Sequence, residues 1–489
     1  MKNLKYLVVI ILTFTLLACE DMDFIQEKPK SDYGLTGVNA EVLESLVLGT
    51  YEPLARSRGR LWESLYSSFI ELQGEYALSG GGGSFAASAT YNYSAFLQSE
   101  LAAVWTTFYQ AIGRANFLIE SVEKNTTLAD NVKNKALGEV RFIRALCYYQ
   151  LVRSWGKVPM RLQPVTDANN IGEPLAEIDA LYKQIIADLQ FAEGTLPAKV
   201  TANTAGRATK GAAITMLADV YLTLKDYQNA RAKSLEVINN KATYGYNLEI
   251  SLPTLYSPTA ATSAEEIFAI KFAQIRAQGS FLPAYAHDDR ANAADLAARG
   301  LRRFSAFKKV PLIRDWDARD LRKGWNLYDT LTINNVKFRA NIPLNGDYLF
   351  GKYRDADAPE ETAAGNDFYL YRYADALLIF AEAENQLNGP TTAAYDAINQ
   401  VRRRAYGVNI NTTSAVADLP IGLTKEAFDE LVFRERGYEF FFECKRWFDL
   451  KRTGRLEKIV SESGIKTLPA NSAYWPIPNV ETANNPSIK

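Results

Sequence analysis

Histidine occurs once in the 489 residues, at His287, which excludes multi-histidine metal sites and the H-E-x-x-H zinc helix. Cysteine is almost as scarce. Cys19 closes the N-terminal apolar run, while Cys147 and Cys444 fall inside helical patterns, so no disulfide framework is indicated and two buried thiols are expected. No G-x-S-x-G elbow and no G-x-x-x-x-G-K-[ST] loop is present; the run Gly80 to Gly83 lacks the lysine and the strand-to-helix setting of a phosphate cradle. Neither sign of charge dominates. The formal net charge of -1 and pI near 6.2 give no electrostatic reason to expect a nucleic acid, and no apolar run after the first 18 residues is long enough to span a membrane.

What is present begins with Lys2 and Lys5 ahead of a short apolar run, Tyr6 to Leu17, ending in Leu16-Leu17-Ala18-Cys19. Residues 1–18 read as a lipoprotein signal peptide. Cys19 follows a small residue at the cleavage point and is the expected lipid anchor, where more than one acyl chain, at ~0.8 kcal/mol per buried methylene, gives durable attachment. Residues 19–37, charged and carrying Pro29 and Gly34, read as a tether.

The rest is mainly α. Between Asn366 and Tyr406, Tyr373, Ala376, Leu377, Phe380, Ala381 and Leu387 recur at helical spacing, Asn388-Gly389-Pro390 stops the helix, and Ala394, Ala397, Ile398 and Val401 resume the period. Two antiparallel helices with small facing residues result, as in tetratricopeptide pairs. A second such pair lies in GAAITMLADVYLTLKDYQNARAKSLEVIN, with Lys225-Asp226 at its turn. Further stripes run through Trp105, Phe108, Ile112 and through Val140, Ile143, Cys147, Leu151. Periodicity fails twice, at 73–98 and at 244–367, where prolines punctuate short apolar runs. The expected organisation is one globular domain over 38–489: an N-terminal helical part at 38–243 with the irregular loop 73–98, a loop-rich mixed insert at 244–367, and a C-terminal helical part at 368–489.

NDFYLYRYADALLIFAEAEN from Asn366, INQVRRRA, RERGYEFFFECKRWFDLKR at Arg434 to Arg452, YWPIP at Tyr474 to Pro478, and in the first half WTTFYQAIGRAN and ALGEVRFIRALCYYQLVRSWGKVPM, resemble the SusD/RagB family over nearly the whole chain. The resemblance implies a SusD-like fold of stacked tetratricopeptide-like helix pairs. It also implies a non-enzymatic lipoprotein of the outer membrane, facing the cell exterior, that captures oligosaccharides, or in some members peptides, for a SusC-like TonB-dependent transporter. Glu20, Asp21 and Asp23 resemble the family's signal for transfer to the outer face of that membrane. No cofactor is implied, and a structural calcium ion is not indicated. The family's ending after PIP runs further than NNPSIK does here, so a shortened terminal strap is expected.

A sugar offers C–H faces to flat aromatic rings and hydroxyls to paired donors and acceptors. Of 27 tyrosines and 7 tryptophans, those inside helical stripes are scaffold; the candidates lie where periodicity is absent. They are Tyr76, Tyr91, Asn92 and Tyr93 in the first irregular segment and Phe281, Tyr285, Asp289, Trp316 and Trp325 in the second. No catalytic and no metal-ligating residue is assigned. A glycoside hydrolase using Asp288-Asp289 beside His287, or Asp315 with Asp317, stays open as an alternative, since paired carboxylates can cleave glycosides. Asp320-Leu321-Arg322 reads as a structural ion pair.

Overall fold

The computed structural model describes residues 38–55, 61–165, 172–470 and 472–488; the expected signal peptide, Cys19 and the tether lie outside them. The N-terminal part contains α1 (Ala40–Ala55), α2 (Leu65–Leu72), α3 (Gln98–Lys124), α4 (Asp130–Trp155), α5 (Ile178–Thr195), α6 (Lys210–Thr223) and α7 (Tyr227–Asn239). After the insert come α8 (Tyr373–Asn388), α9 (Thr392–Ala405), α10 (Lys425–Glu439), α11 (Arg446–Arg452) and α12 (Leu456–Ser463). The buried stripe of α3, Leu101, Val104, Trp105, Phe108, Ala111, Ile112 and Ala115, shows why the segment is helical: it repeats every three or four residues and faces α4.

Consecutive helices stack side by side from α3 to α7, and α7 then packs on α8, so the two helical parts share one hydrophobic core across the insert. The expected turns are in place. Asp226 accepts from the Asn229 amide to cap α7, Lys225 takes φ +59°, and Thr391 caps α9 through the Ala394 amide. Among the described residues no helix is long and apolar enough to cross a membrane. Cys147 and Cys444 are buried free thiols.

The strands are short and pair antiparallel in twos. β2 (Glu266–Ile270) joins β8 (Phe368–Arg372), β4 (Leu327–Tyr328) joins β7 (Leu349–Phe350), and β5 (Thr330–Ile333) forms a hairpin with β6 (Val336–Arg339). The fourth pairing joins β1 (Ala77–Ser79) to β3 (Phe304–Ala306), Leu78 opposite Ser305. It ties the first irregular segment to the second.

That first segment is more ordered than its composition suggests. Beyond β1 it holds a helix at Gly83–Ala89 and a 3-10 turn at Tyr93–Ala95. The glycine run supplies the helix entry, and the Ala/Ser stretch after it carries no β-branched residue to oppose the helix.

Where the insert meets the C-terminal helices, charges are buried. Arg372, 0% exposed at the junction of β8 and α8, pairs with Glu265, with Glu439 at 2.8 Å and with Glu443 at 3.0 Å. Arg404 reaches Glu265 at 3.0 Å and Glu439; Arg322 reaches Asp320, Glu435 and Glu439 at 2.6–2.7 Å; Lys352 reaches Glu443 at 2.5 Å. The Asp320-Leu321-Arg322 element is therefore the structural ion pair expected of it. At the C-terminus, Trp475 packs among Tyr66, Phe69, Trp155 and Trp447, and its amide donates to the Ser154 carbonyl at 2.8 Å. Trp155 donates back to the Pro476 carbonyl at 3.0 Å, and Trp105 to Glu481 at 3.2 Å.

Candidate functional site

The β1–β3 pairing places Gly80 against Pro343 and the Arg302 carbonyl, and Gly81 beside the Arg303 side chain. Chain 301–303 runs alongside 284–287: Leu301, Arg302 and Arg303 amides donate to the carbonyls of Ala284, His287 and Tyr285 at 2.7, 3.0 and 2.8 Å. The result is a continuous seam. At this seam an aromatic strip forms from buried Tyr285 and half-buried Phe85 and Phe281, whose ring centroids lie 5.1 and 4.6 Å from the tyrosine.

Arg302 of the seam also lines an open polar cleft of about 470 Å3, together with Arg339, Asn341, Asn345 and Asp347. Exposed Asp289 accepts from the Asn341 side-chain amide at 3.0 Å and faces Arg302 at 3.5 Å. These are paired donors and acceptors with spare capacity, the chemistry that hydroxyl groups need.

His287 and Asp288 hold the cleft from beneath. His287 is fully buried; its Nε2 donates to the Tyr353 carbonyl at 2.6 Å, leaving Nδ1 to accept from Tyr328, and burial pushes its pKa down to about 4. It is a satisfied core histidine. Burial would push the Asp288 carboxyl up, but the Arg290 guanidinium and the Asn341 and Arg290 amides outweigh that and hold it at about 2. Since the folded pKa lies below the ordinary value of 3.8, this group contributes stability at higher pH and loses it as pH falls through about 2. The NMR resonances of the Tyr328 ring, whose hydroxyl accepts from the Asp288 amide, should therefore hold steady through the ordinary carboxylate range and shift close to that pH.

The expected site residues divide. Phe281, Tyr285 and Asp289 come together at the seam. Tyr76, Tyr91 and Trp316 are core residues with no ring face open to a ligand: Tyr76 stacks on Phe441 at 4.3 Å and donates to Glu71, Tyr91 donates to the Gln73 carbonyl, and Trp316 stacks on Tyr438 at 4.7 Å while its indole N–H donates to Asp320 at 2.9 Å. Tyr93 is half-buried, with its hydroxyl 2.8 Å from the Gln73 side chain and 2.9 Å from the Ser472 carbonyl, and exposed Asn92 accepts from Ser94. Tyr93 is thereby tied to the C-terminal segment, and neither residue contacts the seam through these bonds. Trp325 lines a separate pocket of about 370 Å3 with Ile250, Leu252 and Leu321, under the Arg354 guanidinium at 4.1 Å.

Sequence reasoning missed Phe85, Arg302 and Asn341. Phe85 left a trace, as the one large apolar side chain between Gly80 and Thr90.

The carboxylates of the hydrolase alternative are engaged elsewhere. Asp315 is clamped by Arg314 at 2.7 and 2.9 Å and Asp317 by Arg319 at 2.7 Å, and these guanidiniums lower both carboxyls. Among the described residues no cluster of His, Cys, Asp and Glu could hold a metal ion.

Residues 320–489 match the model of the SusD family, and residues 23–222 match a second model described as starch-binding, associating with the outer membrane. The chain belongs to the SusD family. SusD-like protein P2 of Formosa agariphila is 27% identical over 100% of this chain and 99% of its own. A SusD-like protein of Bacteroides ovatus is 24% identical, covering 91% of this chain and 82% of its own. Surface glycan-binding protein A from Bacteroides thetaiotaomicron, solved in complex with laminarihexaose, superposes with a TM-score of 0.76 at 18% identity, over 91% of this chain and 98% of that one. A laminarin-binding SusD-like protein gives 0.75 at 22% identity, over 91% and 98%. These likenesses fix the SusD fold as that of the present chain.

Proposed function

We propose that the chain is a surface glycan-binding lipoprotein that holds an oligosaccharide at the seam without cleaving it and passes it to a SusC-like TonB-dependent transporter, with Cys19 as its lipid anchor in the outer membrane. The observation that carries the reading is the seam itself: Arg302, which lines the polar cleft, is followed by Arg303, whose amide is bound to the carbonyl of Tyr285 between half-buried Phe85 and Phe281. Support comes from relatives of the same fold, one described as laminarin-binding and one solved with laminarihexaose, and from the starch-binding description of the family model over residues 23–222. Phe281 and Phe85 would carry the C–H faces of a sugar ring, while Asp289, Arg302 and Asn341 would take its hydroxyls. The absence of cleavage is supported by the carboxylates: buried Asp288 is locked to Arg290, and Asp315 and Asp317 to arginines of their own.

Calorimetric titration of the purified chain with laminari-oligosaccharides, malto-oligosaccharides and a peptide panel tests this. Binding of at least one glycan is expected, weakened about tenfold or more in Phe281→Ala and in Asn341→Ala, a loss of ~1.4 kcal/mol or more each. No new reducing ends should appear. Heat from peptides alone would favour a peptide-capturing member of the same family, and release of sugars abolished by Asp289→Asn would make the protein a hydrolase.

A further inference from the structure

A cavity of about 810 Å3 lies away from the seam, in the helical scaffold. It opens between the end of α4, the start of α5, α11, α12 and residues 468–470 and 472–474. Tyr182, Phe448, Leu456 and Tyr474 give it aromatic and apolar walls, and Arg153 and Lys451 line it as well. Its size is that of sites which enclose small organic ligands.

The electrostatics of this cavity are unbalanced. The Arg153 guanidinium is clamped between the rings of Tyr149 and Phe448, at 3.8 and 4.0 Å, and faces one carboxylate, Asp219, at 3.7 Å. Asp219 already accepts hydrogen bonds from Tyr149 and Tyr371, each at 3.0 Å. The Lys451 ammonium donates to the Arg153 carbonyl at 2.5 Å and lies 4.2 Å from the rings of Trp447 and Tyr474. Among the described residues it has no carboxylate partner. Arg452, also on the wall, is matched by Glu382 and Asp449, and Glu457 is an exposed carboxylate at the rim. One ammonium is thus left without a counter-charge in an aromatic chamber, and an ammonium so placed is stabilised by an arriving anion. Burial, with Arg153 alongside, holds the Lys451 pKa well below the usual lysine range, in keeping with that deficit.

We infer that this cavity is a second binding site, for a sugar ring bearing a carboxylate or a sulfate ester, with Lys451 and Arg153 taking the anionic group and Tyr182 and Tyr474 packing on the ring. The assignment does not depend on the seam. A neutral glycan has no group for the lysine, whereas an acidic one satisfies charge and shape together.

The test is saturation-transfer NMR and calorimetry on the full chain, with sodium glucuronate, glucose 6-sulfate, glucose and sodium sulfate as probes. Glucuronate, glucose 6-sulfate or both should bind, and the pattern tells carboxylate from sulfate ester. That binding should weaken at least tenfold in Lys451→Met, which keeps the apolar stem, and in Ala473→Trp, which fills the chamber from an exposed position of its wall. Laminari-oligosaccharide binding should be unchanged in both variants. Acidic-sugar binding undiminished by either substitution, no binding of either acidic sugar, or binding of free sulfate alone would overturn the assignment. Absence of laminari-oligosaccharide binding throughout would count against the seam only.

Discussion

Replacing Arg372 by methionine should lower the free energy of unfolding by roughly 3–5 kcal/mol, the usual cost of removing one partner from a buried ion cluster. The guanidinium is fully enclosed and shares its donors among Glu265, Glu439 and Glu443, so its loss strands carboxylates where water cannot reach them. Urea titration is the measurement, with Arg319→Met as the control. Arg319 pairs with Asp317 at the surface, its side chain 67% exposed, and its removal should change little. A loss below about 1 kcal/mol in Arg372→Met would mean that the cluster reorganises and is not a fixed element of the fold.

The same substitution should alter the acid response. Burial alone would raise the Glu443 carboxyl, but Arg372 and Lys352 outweigh it and hold it at about 2. Its contribution is present above the ordinary carboxylate pKa and lost as pH falls through about 2. Without Arg372 the carboxyl rises, and acid unfolding should begin at a higher pH.

Gly300→Ala is expected to be nearly as damaging and to act on the seam directly. A Cβ at this position would lie 1.8 Å from the Asp288 carbonyl oxygen and 2.3 Å from that of His287, both backbone atoms that cannot swing aside. The segment 301–303 would have to leave 284–287, breaking the three amide–carbonyl bonds that set Arg302 and Arg303 beside Tyr285. At ~0.5–1.5 kcal/mol for each bond the loss should be about 2–4 kcal/mol. Glycan affinity should fall with it, since Arg302 and Asp289 would separate. A stable Gly300→Ala protein with unaltered binding would show that the close approach is dispensable.

The helical part of the fold was legible in the sequence because its signals are local. The stripe of α3, the Thr391 cap and the Asp226 turn lie within a few residues of what they control. The strands were not, because their partners are remote: nothing near Ala77 announces Ala306, and nothing near Glu266 announces Arg372. For the same reason local spacing cannot tell a ligand-facing aromatic in an aperiodic stretch from a core one. Tyr76 is core because Phe441 covers it, and Trp316 because Tyr438 does, and both covers come from the far end of the chain. For Trp316 a local hint existed in Asp320, four residues on, which accepts its indole N–H. Loss of periodicity does point to the two segments that meet at the seam, and to Phe281, Tyr285 and Asp289 within them. Phe85, Arg302 and Asn341 were missed because their placement follows from the β1–β3 register, which no spacing encodes.

Trp475 closes a gap between Phe69 on α2, Trp155 on α4 and Trp447 on α11, so three helices remote in the chain are latched by one ring that belongs to none of them. Emptying that latch by Trp475→Ala would bare the hollow and let the three helices shift against one another. The stiffness of the scaffold thus hangs on the seating of a single indole.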